Sequence, residues 1–564
     1  MILKKKLKEY HNLVAMVMEQ LFFKDEERFS DIAFHYERGE NYEKAKEFFI
    51  KSGNYAHKKF RLLDSLKFFE KSLNYAQKSS EKIFIKSNLY RVKFILGMWQ
   101  EVKNDYEQLL SEIVEYPDDE LKSKILKDYG DLLFQMGFYD ECQEYLDRSY
   151  EVFERFNNKN ELADILSIKA QICWRKNEFK KAIEYCEKTR EFVDKENDPE
   201  TYANIFLTKG NIAKDMGDYD EAIKNYEHVI EIAQENNILL TLSSVYGNLG
   251  LIYWMKGEFD IALSKYLESE KILKNVNSKS SLSYLYGNLG ALYYSMKEYH
   301  KAEDFFLKQL KISRELNDRK SIRIVLNNLG GIANIKGDYA SESEFYKESL
   351  QLADQLNDRL GKRTVLSNLG QLYALLGDFD VAHSYLEESL RISEKINEKK
   401  GIALNHFYIS HSFLLRNLLE ESLKHIEKSI EILNEIKLTQ YYYSAILLKG
   451  EIFVKKDEIE NGLKLLDEGL NFFKDRKEYA ENYVKYYLLK LTYTCEDEND
   501  FVKQCNNLLV KYDEENIKGE IYFALFKKTG REDFRARAFE IYNKLYERFK
   551  NYLNFLRLEE LKET

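Results

Sequence analysis

A segment of about forty residues recurs at a fixed spacing through most of this chain. Residues 243–275 read SSVYGNLGLIYWMKGEFDIALSKYLESEKILKN, and related versions follow near residues 285, 325 and 365. Repeats of this length are typical of proteins in which similar units stack in a row, each packing only against its neighbours. The 564 residues are therefore expected to form one elongated stack, although the length alone would suggest several compact domains.

Each copy of the repeat contains two helical patterns. Apolar residues recur three and four positions apart within residues 246–253 and again within residues 259–266, which is the helical period. A glycine inside a helix, such as Gly250, costs up to about 1 kcal/mol relative to alanine. Its return in most copies predicts that a second helix packs too close for a Cβ atom, and the small Ala262 is expected to serve the same purpose on that second helix.

Two further positions characterise every copy. A turn position between the two helices carries glycine or a polar residue, which lets the chain reverse direction. It falls at Gly97, Gly137, Asn177, Gly217, Gly257, Lys297, Gly337, Gly377, Asn417 and Asp457. Five residues later comes a small residue, at Cys142, Ala182, Ala222, Ala262, Ala302, Ala382, Ser422 and Gly462, with Val102 and Glu342 as the exceptions.

This pattern resembles the tetratricopeptide repeat. Leu249-Gly250, Tyr253, Ala262 and Tyr266 match the Leu-Gly, aromatic, Ala and aromatic positions of that family. The fold class that the resemblance implies is all-α, a right-handed superhelical solenoid of antiparallel helix pairs, with about twelve pairs in a chain of this length. The forty-residue unit is longer than the common one, and with its NLG and NDR motifs it is similar to the repeats of bacterial regulatory and peptide-binding tetratricopeptide proteins.

The repeat register divides the chain into three segments. Residues 1–90 are expected to form irregular helical hairpins, a degenerate version of the repeat. The regular array is expected over residues 91–489. Residues 490–564 are expected to form a helical cap, because the last unit of a stack must present a polar face to water.

A second resemblance concerns the segment that begins at His35. HYERGENYEKAKEFFIKSGNYAHKKF resembles the start of the helical repeats that follow the ATPase module in some large bacterial regulators, including cyclase-linked ones. The chain has no GxxxxGK[ST] phosphate loop of its own. The resemblance therefore implies an alternative function, in which this chain is the sensor or regulatory half of an ATPase or cyclase system and acts through a separate catalytic partner.

Composition excludes some classes of partner. The chain has 86 basic and 96 acidic residues, a formal net charge of −10, and no run of five basic residues, so we expect neither nucleic acid nor an anionic membrane surface as a partner. Residues 236–255 lack charge over the length of a membrane span, but they are rich in polar residues and fall inside the repeat. The five cysteines form no CxxC pair, which favours a reducing compartment, so we expect a cytoplasmic protein.

Catalytic arrangements are also missing from the sequence. It contains no HExxH or GxSxG motif and no metal-ligand spacing of cysteines, so we expect no enzyme, no metal site and no cofactor. His406 and His411 are five residues apart and point in different directions on a helix, and they are interpreted as core or surface residues.

The strongest functional signal is a ladder of asparagines. Asn248, Asn288, Asn328 and Asn368 occupy one position in four consecutive copies. By analogy with tetratricopeptide solenoids this position faces the concave groove, and helical geometry adds neighbours to the same face. The neighbours that we assign to a peptide-binding site are Ser244, Tyr284, Asn327 and Gln371, with Tyr294 and Asn334 one turn further along.

A side-chain amide both donates and accepts hydrogen bonds, so it can pair with the backbone of an extended peptide. The same asparagines would alternatively connect one repeat to the next. We therefore expect a non-catalytic scaffold that recognises a protein or peptide segment in its concave groove, in a regulatory role. Self-association as a structural scaffold is left open by the sequence.

Overall fold

The structure is a computed structural model that describes residues 2–59, 61–96, 98–114, 116–476 and 479–563. Over these ranges it is built of α-helices and short turns, including a 3₁₀ turn (Glu26–Arg28), with no strand. The helices of the first part are α1 (Ile2–Leu21), α2 (Phe29–Arg38), α3 (Tyr42–Lys58), α4 (Leu62–Tyr75), α5 (Ser79–Ile95), α6 (Trp99–Glu112), α7 (Asp119–Met136), α8 (Tyr139–Arg155), α9 (Lys159–Arg175) and α10 (Phe179–Arg190).

The helices of the middle part follow the repeat closely. They are α11 (Pro199–Asp215), α12 (Tyr219–Glu235), α13 (Leu239–Met255), α14 (Phe259–Asn275), α15 (Lys279–Ser295), α16 (Tyr299–Glu315), α17 (Arg319–Lys336), α18 (Tyr339–Gln355), α19 (Arg359–Leu376) and α20 (Phe379–Lys395). The last part contains α21 (Lys399–Leu415), α22 (Leu419–Glu435), α23 (Thr439–Lys455), α24 (Ile459–Phe473), α25 (Ala480–Thr494), α26 (Glu498–Lys511), α27 (Glu515–Thr529), α28 (Glu532–Phe549) and α29 (Tyr552–Glu563).

The chain divides into two compact units, Met1–Leu292 and Tyr293–Thr564. In each unit the most extensive packing joins two consecutive helices across a short turn, as in α13 with α14 in the first unit and α19 with α20 in the second. Such short turns make the two helices antiparallel. The predicted all-α architecture of stacked antiparallel helix pairs is thus confirmed. The boundaries at residues 90 and 490 stay predictions.

The turn position has a left-handed backbone conformation, which explains its composition. Its φ angle is 79° at Gly257 and 60° at Asn177, a region that glycine enters freely and asparagine tolerates better than most residues. A second left-handed position lies between consecutive pairs and is usually asparagine, as at Asn317 (φ 53°) and Asn357 (φ 52°). Gly97, the first predicted turn position, lies outside the described residues.

The glycine in the first helix of most pairs marks a close helix contact, as predicted. A Cβ atom at Gly250 would lie 2.6 Å from the ring of Tyr266, sixteen residues later on the partner helix. Ala262 is fully buried in the same interface. A further recurring contact was not expected: the buried Ser269 hydroxyl donates to the backbone carbonyl of Ser243 at 2.9 Å, and Ser149, Ser349, Ser389 and Ser429 repeat this bond in their own pairs.

Candidate functional site

In the first unit, one asparagine of the ladder connects two repeats. The Asn248 amide nitrogen on α13 donates to Oδ1 of Asn211 on α11 at 3.0 Å. The hydroxyl of Tyr226 donates to the same oxygen at 2.6 Å. The exposed Ser244 donates within its own helix, to the carbonyl of Leu240 at 3.0 Å. Asn248 is therefore held between neighbouring helix pairs, which is the structural role that the sequence left open.

Two predicted residues on α15 of the first unit are more accessible. The Tyr284 side chain is 70% exposed. Asn288 is half-buried, and its amide has no hydrogen-bond partner among the described residues of the chain. These side chains retain free capacity to interact with a ligand.

In the second unit the predicted residues again divide into two groups. The Asn368 amide on α19 donates to Oδ1 of Asn327 on α17 at 2.9 Å, so these two asparagines join adjacent pairs. Asn328 is half-buried and, within the ranges that the structure describes, makes no side-chain hydrogen bond. Tyr294 is 42% exposed and meets the ring of Tyr299 edge-on at 5.6 Å. The assignment of this ladder to peptide binding stays a prediction.

The remaining predicted residues, Asn334 and Gln371, line a cavity inside the second unit. The cavity has a volume of about 630 Å³ and is bordered by the first helices of consecutive pairs, α17, α19, α21 and α23, together with α25, α27 and α29. Asn334 is exposed on α17, and Gln371 on α19 donates to the carbonyl of Ser367 at 3.2 Å. Of the ten residues predicted for the site, these two are brought together at this cavity.

The cavity wall contains many residues that were not predicted. The lining residues of α21 and α23 include Phe407, Tyr408, His411, Ser444, Leu447, Leu448 and Glu451. Tyr408 and Leu448 lie forty and eighty residues after Asn368, at the ladder position itself. The others stand one residue before, three after or four before that position. The offsets that define the groove face at the four asparagines, applied to the next two repeats, would have identified these residues from the sequence.

Two ion pairs are built into this wall. The Lys485 ammonium on α25 donates to Glu451 on α23 at 2.9 Å, and the Arg557 guanidinium on α29 donates to Glu520 on α27 at 3.1 Å. Burial alone would raise the pKa of each carboxyl, but the adjacent cation outweighs burial and holds the pKa of Glu451 and of Glu520 below its ordinary value. Both carboxylates are therefore charged at neutral pH.

His411 faces the same cavity as a neutral group. Burial lowers the pKa of its imidazole to about 4, because a charged ring is poorly solvated there. At neutral pH the ring thus offers one donor and one acceptor nitrogen. The sequence interpretation of His411 as a core or surface residue did not anticipate its place in the cavity wall.

The C-terminal helix closes one side of the cavity. Tyr552, at the start of α29, lies edge-on to Phe379 with ring centres 5.3 Å apart, and a Cβ atom at Gly377 would approach its ring to 2.7 Å. At the other end of α29 the backbone carbonyl of Leu561 accepts a hydrogen bond from Arg535 at 2.8 Å. α29 therefore contacts both the repeat turn before α20 and the neighbouring helix α28.

The described residues contain no candidate membrane span and no candidate metal cluster. None of their helices combines the length and apolar character needed to cross a lipid bilayer. Within the same part of the chain, no cluster of three or more His, Cys, Asp or Glu side chains is arranged to hold a metal ion.

Comparison with solved structures finds proteins of low identity. A signal transduction ATPase with numerous domains (STAND) protein with a tetratricopeptide repeat sensor, from Pyrococcus horikoshii, is 15% identical with a TM-score of 0.49, over 80% of this chain and 73% of that chain. A Rap protein complexed with competence and sporulation factor is 14% identical with a TM-score of 0.44, over 63% and 98%. BtubC from P. vanneervenii is 20% identical with a TM-score of 0.35, over 39% and 92%.

Sequence comparison identifies the family. No curated protein matches the chain. The family model of the tetratricopeptide repeat matches residues 121–195, 201–275, 281–355 and 321–395, and the helix pairs described above occupy these ranges. The helix pairs within residues 121–395 therefore belong to the tetratricopeptide repeat family.

Proposed function

We propose that this chain is a non-catalytic, regulatory scaffold and that the cavity of its second unit binds an extended segment of a polypeptide. The proposal is supported chiefly by one observation: Asn334 and Gln371, assigned to a peptide-binding face from the repeat register, both line this cavity. A volume of about 630 Å³ falls in the range of about 300–1,000 Å³ that is usual for ligand pockets.

The lining suits a peptide backbone. The amides of Asn334 and Gln371 and the hydroxyls of Tyr408 and Tyr441 border the cavity. Amides and hydroxyls both donate and accept, so they can satisfy the N–H and C=O groups of an extended segment that leaves water. The ion pairs of the wall add fixed charge without adding net charge.

The apolar part of the lining suits side chains. Phe407, Leu414, Leu447 and Leu556 border the cavity between its polar groups. Burying apolar side chains there would supply affinity at roughly 25 cal/mol per Å² of apolar surface. Leu556 belongs to α29, so an occupant would contact the C-terminal helix and the repeats together. Such a contact provides a physical basis for a regulatory role.

The test is a substitution that fills the cavity. Ser444 lines it from α23, and its hydroxyl donates only within its own helix, to the carbonyl of Gln440 at 3.2 Å. The immobilised full chain is incubated with a library of random pentapeptides with amidated C termini, and retained peptides are identified by mass spectrometry. We expect the wild-type chain to retain peptides, and Ser444→Phe to reduce their retention at least tenfold, a loss of about 1.4 kcal/mol.

Ser444→Ala is the matched control, because it removes the same hydroxyl and leaves the cavity open. It should retain peptides as the wild-type chain does, and thermal unfolding should show that both variants are folded. Equal retention by Ser444→Phe and the wild-type chain would contradict binding in this cavity. A library that yields no retained peptide would contradict peptide binding altogether.

A further inference from the structure

A buried carboxyl group lies beside the cavity at an unusual place in the repeat. Glu342 on α18 occupies the position that is alanine in most other pairs, and its side chain is 2% exposed. In the described part of the chain no lysine, arginine or histidine forms an ion pair with it. Burial raises the pKa of its carboxyl to about 7, so a substantial fraction is charged at neutral pH. A buried carboxylate without a cation is unfavourable for folding.

The hydrogen-bond partner of Glu342 is Asn334. The Asn334 amide nitrogen lies 3.2 and 3.1 Å from the two carboxylate oxygens. A carboxylate is an acceptor only, so it fixes the orientation of this amide: the nitrogen faces Glu342 and the carbonyl oxygen faces away from it. Because Asn334 lines the cavity, the oxygen is available there as an acceptor backed by negative charge.

The other charged groups of the cavity wall balance one another. Its acidic lining residues are Glu451, Glu520 and Glu560, and its basic ones are Lys455, Lys485 and Arg557. The ionisable side chains whose charge interacts with Glu342 are the phenols of Tyr339 and Tyr346. Burial raises the pKa of both phenols, with Glu342 adding to the rise, so they are neutral at physiological pH. Glu342 is therefore the charged group at this cavity that, among the described residues, has no cation to balance it.

We propose that Asn334 and Glu342 form a subsite for a cationic group of the bound peptide, the ammonium of a lysine or N-terminus or the guanidinium of an arginine. The cation donates a hydrogen bond to Oδ1 of Asn334, with the Glu342 carboxylate directly behind the amide as its counter-charge. This subsite rests on the proposed function and specifies its ligand. It also accounts for a residue that folding alone disfavours at this position.

The experiment uses the same pentapeptide library on the full chain and on Glu342→Gln. Glutamine keeps the size of the side chain and an acceptor for the Asn334 amide, and it removes the charge. We expect peptides retained by the wild-type chain to be enriched in lysine, arginine or a free N-terminal ammonium at one position. Glu342→Gln should reduce that enrichment about tenfold, which corresponds to about 1.4 kcal/mol, and should retain neutral, N-acetylated peptides unchanged.

Glu344→Gln is the matched control, since Glu344 is exposed on the same helix and its change removes the same charge. It should leave the enrichment intact. Retention of peptides without cationic enrichment, or equal enrichment by Glu342→Gln, would overturn the subsite and leave the proposed function standing. Retention of no peptide by the wild-type chain would overturn both.

Discussion

The pair α13–α14 and the pair α17–α18 share one construction, and two of the positions at which they differ are linked to each other. Both pairs have the glycine, the packed tyrosine and the left-handed turn glycine at equivalent places. Where the first pair has Trp254 and Ala262, the second has Asn334 and Glu342. Asn334 and Glu342 are hydrogen-bonded to each other, so these two differences form one polar contact within the pair.

The two pairs show that one position of the repeat can serve either to pack the helices, as Ala262 does, or to support binding, as we propose for Glu342. A fully buried alanine such as Ala262 permits close helix packing at no electrostatic expense. Glu342 in the same environment is harder to bury, since it keeps part of its charge and has only an amide as a partner. Natural proteins retain such unfavourable groups mainly where function requires them.

The largest effect is expected when the difference between the two pairs is removed by Glu342→Gln. The folded pKa of Glu342, about 7, exceeds the ordinary value of 4.5. The unfolded chain therefore releases this proton at lower pH than the folded chain, and stability falls as pH rises from about 4.5 to about 7. Glu342→Gln should remove this loss, which stabilises the chain at pH 8 by on the order of 3 kcal/mol and changes little at pH 4.5.

Thermal unfolding between pH 4.5 and pH 8 compares the stability of the wild-type chain with that of Glu342→Gln directly. Among the described residues, the Asn334 amide of α17 is hydrogen-bonded to Glu342 and the phenols of Tyr339 and Tyr346 on α18 interact with its charge. None of these groups titrates in that interval. Glu344→Gln reports the effect of removing an exposed charge from the same helix. If the stability of the wild-type chain and that of Glu342→Gln changed with pH in parallel, Glu342 would not be a buried, charged group.

The second prediction concerns the construction that the two pairs share. Gly330 and Gly331 are adjacent on α17, yet a Cβ atom at Gly330 would overlap the Tyr346 ring, while one at Gly331 would meet nothing within 4 Å. Gly330→Ala should therefore destabilise the chain by about 1–3 kcal/mol through overpacking. Gly331→Ala should stabilise it by about 0.5–1 kcal/mol, because alanine is the better helix former.

Chemical denaturation of Gly330→Ala and Gly331→Ala measures the two opposite changes in the free energy of unfolding. The pair α13–α14 repeats the contrast, since Gly250 is packed against Tyr266 and Gly247 is open. The same signs should thus appear for Gly250→Ala and Gly247→Ala. Equal changes in stability for the packed and the open glycine of either pair would mean that the packed glycines do not mark helix contacts.

The repeat made most of the fold predictable from sequence. The turn positions, the small residue and the packed glycine each follow from a local steric demand that returns in most copies, so Gly257, Ala262 and Gly250 could be interpreted without coordinates. The cavity of the second unit could not be derived in this way. It depends on α29 lying against the repeats through Tyr552 and Phe379 and against α27 through Arg557 and Glu520. No periodic pattern encodes these long-range contacts.

The candidate site was predictable only in part, for a related reason. The repeat register shows which face of a helix a residue occupies, and it placed Asn334 and Gln371 on the face that lines the cavity. It does not show whether an amide is already hydrogen-bonded to a neighbour. Asn248 and Asn368 bond to Asn211 and Asn327, and these acceptors do not stand at the ladder position.

The smallest expected effect distinguishes the two pairs at the ladder position itself. Asn248 on α13 donates to Asn211 at 3.0 Å, whereas Asn328, its equivalent on α17, makes no side-chain hydrogen bond within the described residues. Asn248→Ala should lower stability by about 1 kcal/mol, the usual contribution of one hydrogen bond. Asn328→Ala should change it by less than about 0.5 kcal/mol and should reduce the retention of pentapeptides.

Denaturation and library retention, measured on both variants, decide between the two roles that an asparagine has in this repeat. A residue that joins two helix pairs affects stability, because its removal leaves the Asn211 carbonyl oxygen with one donor fewer. A residue that contacts a ligand affects retention, because its hydrogen bonds form only in the complex. If Asn328→Ala lowers stability as much as Asn248→Ala and leaves retention unchanged, the ladder has a structural role throughout and peptide recognition must depend on the cavity residues alone.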